Sequence, residues 1–385
     1  MRYDAVMKKT QSEKFGLELL GGMTAEEFLQ TYWQKKPLLI KSAMPGFSGL
    51  LSPEELAGLA CEENVQSRLV SQQRGKWHVE EGPFEEARFL KLPAKNWTLL
   101  VQDVNHHLHE ADALLRKFNF IPYARLDDLM VSYAPDGGGV GPHFDSYDVF
   151  LLQGQGQRLW RISEQQDLAL IEDAPLRILK NFETEQEWLL EPGDMLYLPP
   201  HVAHWGIAIG DCMTYSIGFR APSAQELVSE FLNYLQEKST AQGMYADPQL
   251  RQQPHPAEIG EDMLQQVSCM LIDMQWDKTD VSRFLGRYLS TPKSYVNFDQ
   301  SHYMDEKAFR KRLQQEGISL ALQSQMLYQG DNLFLNGEEV NVDNAVREQL
   351  RQLADDRQLP AGFDATEGLV EILHEWYLDG YLRFS

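Results

Sequence analysis

The sequence predicts an α+β protein with antiparallel β-structure in its middle and helices on either side. Three observations support this fold class. Short apolar runs alternate with Gly/Pro turns over residues 126–220, a pattern typical of an antiparallel sandwich or barrel. Helical patterning begins after Ser223 and continues over residues 222–290. Residues 295–385 mix helices with short strands, which favours a small winged-helix-like unit.

The composition is that of a globular protein with a strongly acidic surface. A chain of 385 residues is too long for one ordinary core, so two or three domains are expected. No apolar run is long enough for a membrane span, and the N-terminus lacks a signal-peptide core, so we expect a cytoplasmic protein. The formal net charge of −22 disfavours DNA or free RNA as a partner and favours a basic protein, although solubility alone would also explain it.

The N-terminal part is predicted to combine helices with one short strand. Thr24 and Ser52 are expected helix N-caps, and the apolar run PLLIKSA between them is a predicted strand. Apolar residues at helical spacing predict another helix over residues 96–118. His106 and His109 in that segment are a weak candidate for a metal site, because they are the only pair of its three histidines that could share a helical face.

Five strand runs are predicted in the middle section, and a helix–strand mixture follows the helical region. The strand runs are LMVSYA, YDVFLLQG, QRLWRIS, EWLLEPGDMLYLPP and MTYSIGF. Nearer the C-terminus, helices are predicted at 305–316, 343–355 and 366–378, with strands at QMLYQ and NLFLNG.

A His-x-Asp motif follows a glycine-rich turn in GGGVGPHFDSYDVFLLQG. If His143 and Asp145 lie on a strand, they share a face and can line one wall of a barrel. A third ligand is expected from EPGDMLYLPPHVAHWG, where either His201 or His204 would complete a triad. Two histidines and one carboxylate leave one side of a metal open, which suits Fe(II) oxygen chemistry. Spacing favours His204, because His201 directly follows the Pro-Pro turn; a buried His bonded to a core Asp is the structural alternative.

A 2-oxoglutarate-dependent oxygenase also needs a basic side chain for the distal carboxylate of that co-substrate. Arg158 and Arg161, in GQRLWRIS, lie on opposite faces of a predicted strand, so only one can point inward. A cupin-type metalloenzyme without 2-oxoglutarate and a non-enzymatic binding module are alternative functions. DNA binding is disfavoured, because residues 291–385 hold 9 Lys/Arg against 16 Asp/Glu, a net formal charge of −7.

These motifs lie in longer segments that resemble the bacterial ribosomal oxygenases, a branch of the JmjC-type 2-oxoglutarate oxygenases. The resemblance is densest in DDLMVSYAPDGGGVGPHFDSYDVFLLQGQGQRLWRI, EPGDMLYLPPHVAHWG and YSIGFRAPS, and it extends to WQKKPLLIK, LSPEELAGLA and SRLVSQQRGKWHVEEGPF. It implies a double-stranded β-helix (cupin/JmjC-like) core with an N-terminal α/β extension over residues 1–221. A helical dimerisation region over 222–290 and a winged-helix-like domain over 291–385 are implied to follow.

The resemblance also implies the roles of individual residues. His143, Asp145 and His204 match the Fe(II) ligands. Arg158 matches the residue that binds 2-oxoglutarate, which is consumed together with O₂. Ser132 matches a polar residue that lines the co-substrate or substrate pocket.

The implied substrate is a basic ribosomal protein, hydroxylated on an arginine side chain of large-subunit protein L-sixteen, and the implied assembly is a homodimer. Asp148, Tyr147 and Asp136 are candidate contacts for that arginine, although Asp136 is more simply explained as a turn residue before Gly137. His201 stands where the family commonly has glycine, so it is either a rival ligand or a group that supports the site.

Overall fold

The computed structural model divides the chain into two compact units. The structure describes residues 16–73, 75–239, 244–272 and 275–385. One unit comprises the chain up to Ala221 together with Tyr295–Asn297, and the other comprises Pro222–Ser294 and Phe298–Ser385. The three-domain division of the chain stays a prediction.

Within the described residues of the first unit, nine strands form one antiparallel sheet. They are β1 (Leu38–Ile40), β2 (Ser67–Gln73), β3 (Lys76–Glu81), β4 (Trp97–Val101), β5 (Leu126–Ala134), β6 (Val149–Ser163), β7 (Gln186–Leu190), β8 (Met195–Leu198) and β9 (Ala203–Phe219). The order is β1–β8–β6–β9–β5–β4–β2–β3, and β7 pairs with the second half of β6. The prediction of antiparallel β-structure in the middle of the chain is thus confirmed.

The two longest strands, β6 and β9, pair with each other along the whole of β6 and form the centre of the sheet. The register shifts twice between Gln153 and Gln157, and such irregularities bend a strand pair. The predicted runs YDVFLLQG and QRLWRIS are therefore two halves of one bent strand, and MTYSIGF is only the end of β9. The prediction of separate strands was wrong, because two closely spaced glycines, Gly154 and Gly156, are typical of a turn but here lie at the bend of one strand.

Four α-helices accompany the sheet within the described part of the first unit. They are α1 (Ala25–Thr31), α2 (Pro53–Leu59), α3 (Glu86–Phe89) and α4 (His109–Arg116). The Thr24 hydroxyl accepts a hydrogen bond from the Glu27 backbone N–H, and Ser52 forms a reciprocal capping box with Glu55. Both predicted N-caps are confirmed.

The predicted helix over residues 96–118 is wrong in its first half. Residues 97–101 form β4, and the α-helix covers only His109–Arg116. Four consecutive residues of β4, from Thr98 to Val101, are buried. A strand covered on both faces shows a continuous apolar run, which periodicity alone does not distinguish from a buried helix.

The side chains of β6 contribute alternately to two apolar clusters. Phe150 belongs to the larger cluster, where its ring contacts Phe28 from α1 and Tyr197 from β8. The neighbouring Leu151 belongs to a smaller cluster that also contains Trp160, farther along the same strand. The Trp160 ring of this smaller cluster lies 5.9 Å from the His204 ring, so this face of β6 turns toward the candidate site described below.

The second unit is mainly helical, with two small sheets. Its helices are α5 (Ala224–Lys238), α6 (Glu261–Ile272), α7 (Lys278–Ser290), α8 (Glu306–Gln315), α9 (Asn344–Asp356) and α10 (Glu367–Leu378). Its strands are β10 (Ile318–Leu320), β11 (Met326–Gln329), β12 (Asn332–Leu335), β13 (Glu338–Val340), β14 (Gln358–Leu359) and β15 (Leu382–Phe384). All helices and strands predicted for this part are confirmed, whereas β10, β13, β14 and β15 were missed because each has at most three residues. In the described residues, no helix is long and apolar enough to span a membrane.

Candidate metal centre

The His-x-Asp motif lies in an irregular segment between β5 and β6, so the prediction that it forms part of a strand is wrong. One backbone bridge joins it to the start of β9. The His143 N–H donates to the His204 carbonyl (N···O 2.9 Å), and the His204 N–H donates to the His143 carbonyl (2.8 Å). This bridge places the two histidines side by side, with ring centroids 4.2 Å apart.

Three of the predicted ligands come together at this bridge. One ligand atom from each of His143, Asp145 and His204 lies within 4.8 Å of the others, and His204 Nε2 is 3.6 Å from Asp145 Oδ2. The Nδ1 atoms of the two histidines lie 2.9 Å from backbone carbonyl oxygens of Gly141 and Val202. Because a carbonyl only accepts, each Nδ1 carries the proton and each Nε2 keeps a lone pair for a metal.

The electrostatics of His204 favour metal binding over protonation. His204 is 3 % exposed. Burial, followed by the charge of His143, lowers the pKa of His204 to about 4. The His204 imidazole is therefore neutral near pH 7, as a metal ligand must be, and the donor set of two histidines and one carboxylate fits Fe(II).

His201 lies at the turn before β9 and is separate from this group. Its side chain is exposed, and its backbone has φ = 66°, the left-handed conformation that glycine adopts most easily. Its N–H donates to the Asp145 carbonyl (2.8 Å). The turn therefore positions the backbone of Asp145 while it leaves the His201 ring outside the three-residue cluster. Among the described residues, His106 and His109 likewise belong to no group that could hold a metal.

Arg158 points into the protein, and Arg161 lies at its surface. Arg158 is 5 % exposed, its Nη2 is 3.4 Å from the Cys212 sulfur, and its Nε has no hydrogen-bond partner. No carboxylate of the described chain lies within ion-pair distance of Arg158, whereas Arg161 pairs with Glu187 at 2.8 Å. A buried guanidinium without a counter-charge fits an anionic ligand, as the distal carboxylate of 2-oxoglutarate would be.

Ser132 lies on the same side of the sheet as Arg158. Thr214, two residues beyond Cys212 in β9, points to the same side as Cys212, which contacts Arg158. The cross-strand neighbours of Thr214 are Ser132 and Gln153, and all three residues are buried. The Thr214 hydroxyl donates to the Gln153 side-chain oxygen at 3.0 Å. A polar row therefore crosses the sheet next to the buried guanidinium.

Asp148 and Asp136, two of the three candidate contacts for a substrate arginine, have other roles in the structure. Asp148 is fully buried and accepts hydrogen bonds from Tyr197 (2.6 Å) and Gln34 (2.9 Å), so its prediction as a substrate contact is wrong. The carboxylate of Asp136 is exposed and accepts from the Gly210 backbone N–H (3.1 Å), which agrees with a turn residue.

Tyr147, the third candidate contact, is still accessible to a substrate. It remains 41 % exposed, while burial around its hydroxyl and nearby carboxylates raise its pKa. The carboxylates belong to Asp145, Asp128 and Asp127. An aromatic ring and negative charge thus occur together beside the candidate metal centre.

Two neighbours of Arg158 were missed in the sequence analysis. Trp160 follows Arg158 by two residues in β6 and so shares its face, which was a usable signal. Cys212 gave no signal, because its contact with Arg158 depends on the bend in the β6–β9 pair.

The chain matches two known protein families over separate ranges. Residues 113–227 match the JmjC domain, and residues 273–383 match the ROXA-like winged helix. The JmjC match includes all three residues of the candidate metal centre. The predicted α+β class, with a cupin/JmjC-like core and a C-terminal winged helix, is therefore confirmed.

Curated relatives match nearly the full length of the chain. It is 37 % identical to the ribosomal protein uL16 3-hydroxylase of Escherichia coli strain K12, over 87 % of this chain and 90 % of that protein. It is 32 % identical to a probable ribosomal oxygenase of Haemophilus influenzae, over 89 % and 88 % of the two chains.

Solved structures extend the match to three dimensions. The ribosomal oxygenase YcfD from Escherichia coli, in complex with cobalt and 2-oxoglutarate, superposes with a TM-score of 0.82. The identity is 35 %, and the match covers 97 % of this chain and 100 % of that one. The alternatives of a cupin-type enzyme without 2-oxoglutarate and of a non-enzymatic module gain no support from these matches. The chain belongs to the bacterial ribosomal oxygenases, JmjC-type enzymes that depend on Fe(II), 2-oxoglutarate and O₂.

Proposed function

We propose that this chain hydroxylates an arginine side chain of large-subunit ribosomal protein uL16. The observation that carries the proposal is the cluster of His143, Asp145 and His204 on the same domain as a buried, uncompensated Arg158. The Escherichia coli relative is named for hydroxylation of uL16 at a carbon denoted 3, which supports a ribosomal protein as substrate and a side-chain carbon as target.

We assign iron binding to His143, Asp145 and His204, and binding of the distal 2-oxoglutarate carboxylate to Arg158. When bound, Fe(II) and 2-oxoglutarate supply the activation of O₂ and the insertion of one oxygen atom into a carbon–hydrogen bond. The two Nδ1–H groups, held by backbone carbonyls, fix the ring orientations before the metal arrives. Arg158 orients the co-substrate by its charge, which acts strongly because the guanidinium is buried.

The surroundings of the metal centre favour a cationic side chain as substrate. Tyr147 offers a partly exposed aromatic ring, and the charges of Asp145, Asp128 and Asp127 act on its hydroxyl. An arginine side chain can stack on such a ring, and the negative charge nearby favours its guanidinium. Ser132, in the buried polar row beside Arg158, is assigned to the lining of the co-substrate pocket. The net charge of −22 also favours association with a basic ribosomal protein.

We further propose that the protein is a homodimer and acts in the cytoplasm, where ribosomal proteins are made. The described part of residues 222–290 exposes large apolar side chains, as an unpaired interface would. These are Val228, Leu232, Met244, Leu250, Ile259, Met263, Leu264, Val267, Met270, Leu271 and Trp276.

Mass spectrometry of ribosomal proteins tests the proposed reaction. We expect uL16 from cells that contain this chain to carry one additional oxygen atom on an arginine, and uL16 from cells without it to lack that oxygen. Purified chain, Fe(II), 2-oxoglutarate and unmodified uL16 should reproduce the modification, with an Asp145→Ala variant as control. An unmodified arginine in both experiments, or oxygen on another residue, would refute the proposed substrate.

A further inference from the structure

Trp160 carries a buried polar atom that the proposed function does not explain. The residue is 5 % exposed, and no hydrogen-bond partner for its Nε1 occurs among the described residues. Most buried donors in proteins are paired, and an unpaired one destabilises the fold. The surrounding apolar cluster explains the burial of the ring but offers no acceptor for its N–H.

Trp160 lies between the candidate metal centre and Arg158. Alternate residues of β6 point to one side, so Arg158, Trp160 and Ile162 share a face, and the cross-strand neighbour of Ile162 is His204. The indole centroid is 5.9 Å from the His204 ring centroid and 5.9 Å from the Arg158 guanidinium carbon. The ring therefore lies near both an assigned iron ligand and the assigned anchor of the co-substrate carboxylate.

Gly206 makes this position of the indole possible. It is the cross-strand neighbour of Trp160, and a Cβ atom added to it would lie 2.7–3.0 Å from three carbons of the six-membered ring. Real Cβ atoms essentially never approach other atoms so closely, so any other residue at this position would displace the ring. The indole thus lies directly against the backbone of β9, two residues along the strand from His204.

We propose that the Trp160 Nε1–H donates a hydrogen bond to a carboxylate oxygen of bound 2-oxoglutarate, as a second donor beside Arg158. This inference rests on the proposed function, because it requires the co-substrate to lie between His204 and Arg158. Two buried donors without partners, one cationic and one neutral, share a single wall. A dicarboxylate supplies acceptor oxygens for both N–H donors and the counter-charge that the Arg158 guanidinium has not found in the protein. Trp160 therefore contributes to the affinity for 2-oxoglutarate.

A Trp160→Phe variant tests this role, because it removes the N–H and keeps an aromatic ring. The full-length protein is loaded with Fe(II) without oxygen, and 2-oxoglutarate is titrated while the Fe(II)–2-oxoglutarate charge-transfer absorption is followed. We expect the Kd for 2-oxoglutarate to rise roughly tenfold to a hundredfold, the effect of one hydrogen bond to a charged group. Fe(II) affinity should not change. Trp205→Phe is the matched control, because Trp205 lies one residue along β9 from Gly206, faces the other side and contacts Arg161.

The outcomes separate this inference from the proposed function. If wild-type protein gives no 2-oxoglutarate-dependent absorption, the proposed function fails. If wild type binds and Trp160→Phe binds equally well, only the role of Trp160 is refuted. Should the variant fail to fold, a crystal structure of the wild-type protein with Mn(II) and 2-oxoglutarate decides. Nε1 is expected within about 3.2 Å of a carboxylate oxygen, and an indole N–H that still lacks this partner would overturn the inference.

Discussion

At the scale of single residues, the two histidines of PPHVAHWG differ in what the backbone allows them to do. We expect His204→Ala to abolish turnover and to lower Fe(II) affinity by more than about a hundredfold. Loss of a residue that only hydrogen-bonds to a metal ligand usually costs less than that. His201→Gly should retain iron and most of the activity, since glycine suits its left-handed conformation. His143→Ala and Asp145→Ala should behave like His204→Ala. Iron content and 2-oxoglutarate turnover, measured side by side, check this prediction. Loss of iron in the His201 variant with retention in the His204 variant would require a different ligand set.

The two arginines of β6 offer a second comparison between neighbouring residues. Arg158→Ala should raise the Kd for 2-oxoglutarate at least about a hundredfold, because a carboxylate would then be buried without a counter-charge. Arg161→Ala removes a pair with Glu187 and a contact with Trp205, both away from Arg158, and should change that Kd by less than about threefold. Calorimetric titration of both variants with Mn(II) bound compares them directly. Unchanged affinity in Arg158→Ala would place the anchor elsewhere.

The sequence predicted most of the residues proposed for the site, but for reasons that were only partly structural. Two histidines and a carboxylate at suitable spacing indicated a facial triad, although the strand argument for His143 and Asp145 was wrong. An irregular segment brings them together instead, held by a backbone bridge to His204. The opposite faces of Arg158 and Arg161 followed from strand alternation alone. Asp148 could not be judged, since its burial depends on Tyr197 and Gln34, which are distant in sequence.

At the scale of elements, the β6–β9 pair depends on a glycine opposite an indole. Gly206→Ala should lower the free energy of unfolding by about 1–3 kcal/mol, because the new methyl group overlaps the Trp160 ring. The cost should be smaller when Trp160 is already phenylalanine, since the two side chains then compete for less space. Denaturant unfolding of the two single variants and the double variant forms the test. Strictly additive effects would contradict the contact.

Element prediction succeeded where local chemistry decides and failed where tertiary packing decides. Thr24, Ser52 and Ser223 cap helices through their own side chains, and all three starts were predicted. The strand Trp97–Val101 was taken for a helix because burial on both faces erases the two-residue period. The long strand β6 was divided in two, because Gly154 and Gly156 suggest a turn, whereas pairing with β9 continues across them.

At the scale of the whole molecule, we expect a homodimer formed through residues 222–290. Leu232 and Met270 are 55 % and 51 % exposed on α5 and α6. Leu232→Glu combined with Met270→Glu should weaken dimerisation at least about a hundredfold, since each charge would be buried without a partner. Light scattering at micromolar concentration measures the assembly. Tyr303→Glu, at an 84 % exposed position outside this region, is the control and should remain dimeric. A monomeric wild-type protein would refute the prediction.

The bridge between His143 and His204 bears on how the protein acquires its metal in the cell. Two backbone hydrogen bonds and two carbonyl-anchored imidazoles hold the ligands in place through the polypeptide itself. Proteins whose ligands are ordered only by the ion fold around it, and chelators unfold them. Here, the chain would fold before it binds the metal, so a chelator should remove the ion and leave a folded protein that binds iron again when iron is returned. The fraction of working molecules would then follow the exchangeable iron pool of the cell, which would couple ribosome modification to iron nutrition.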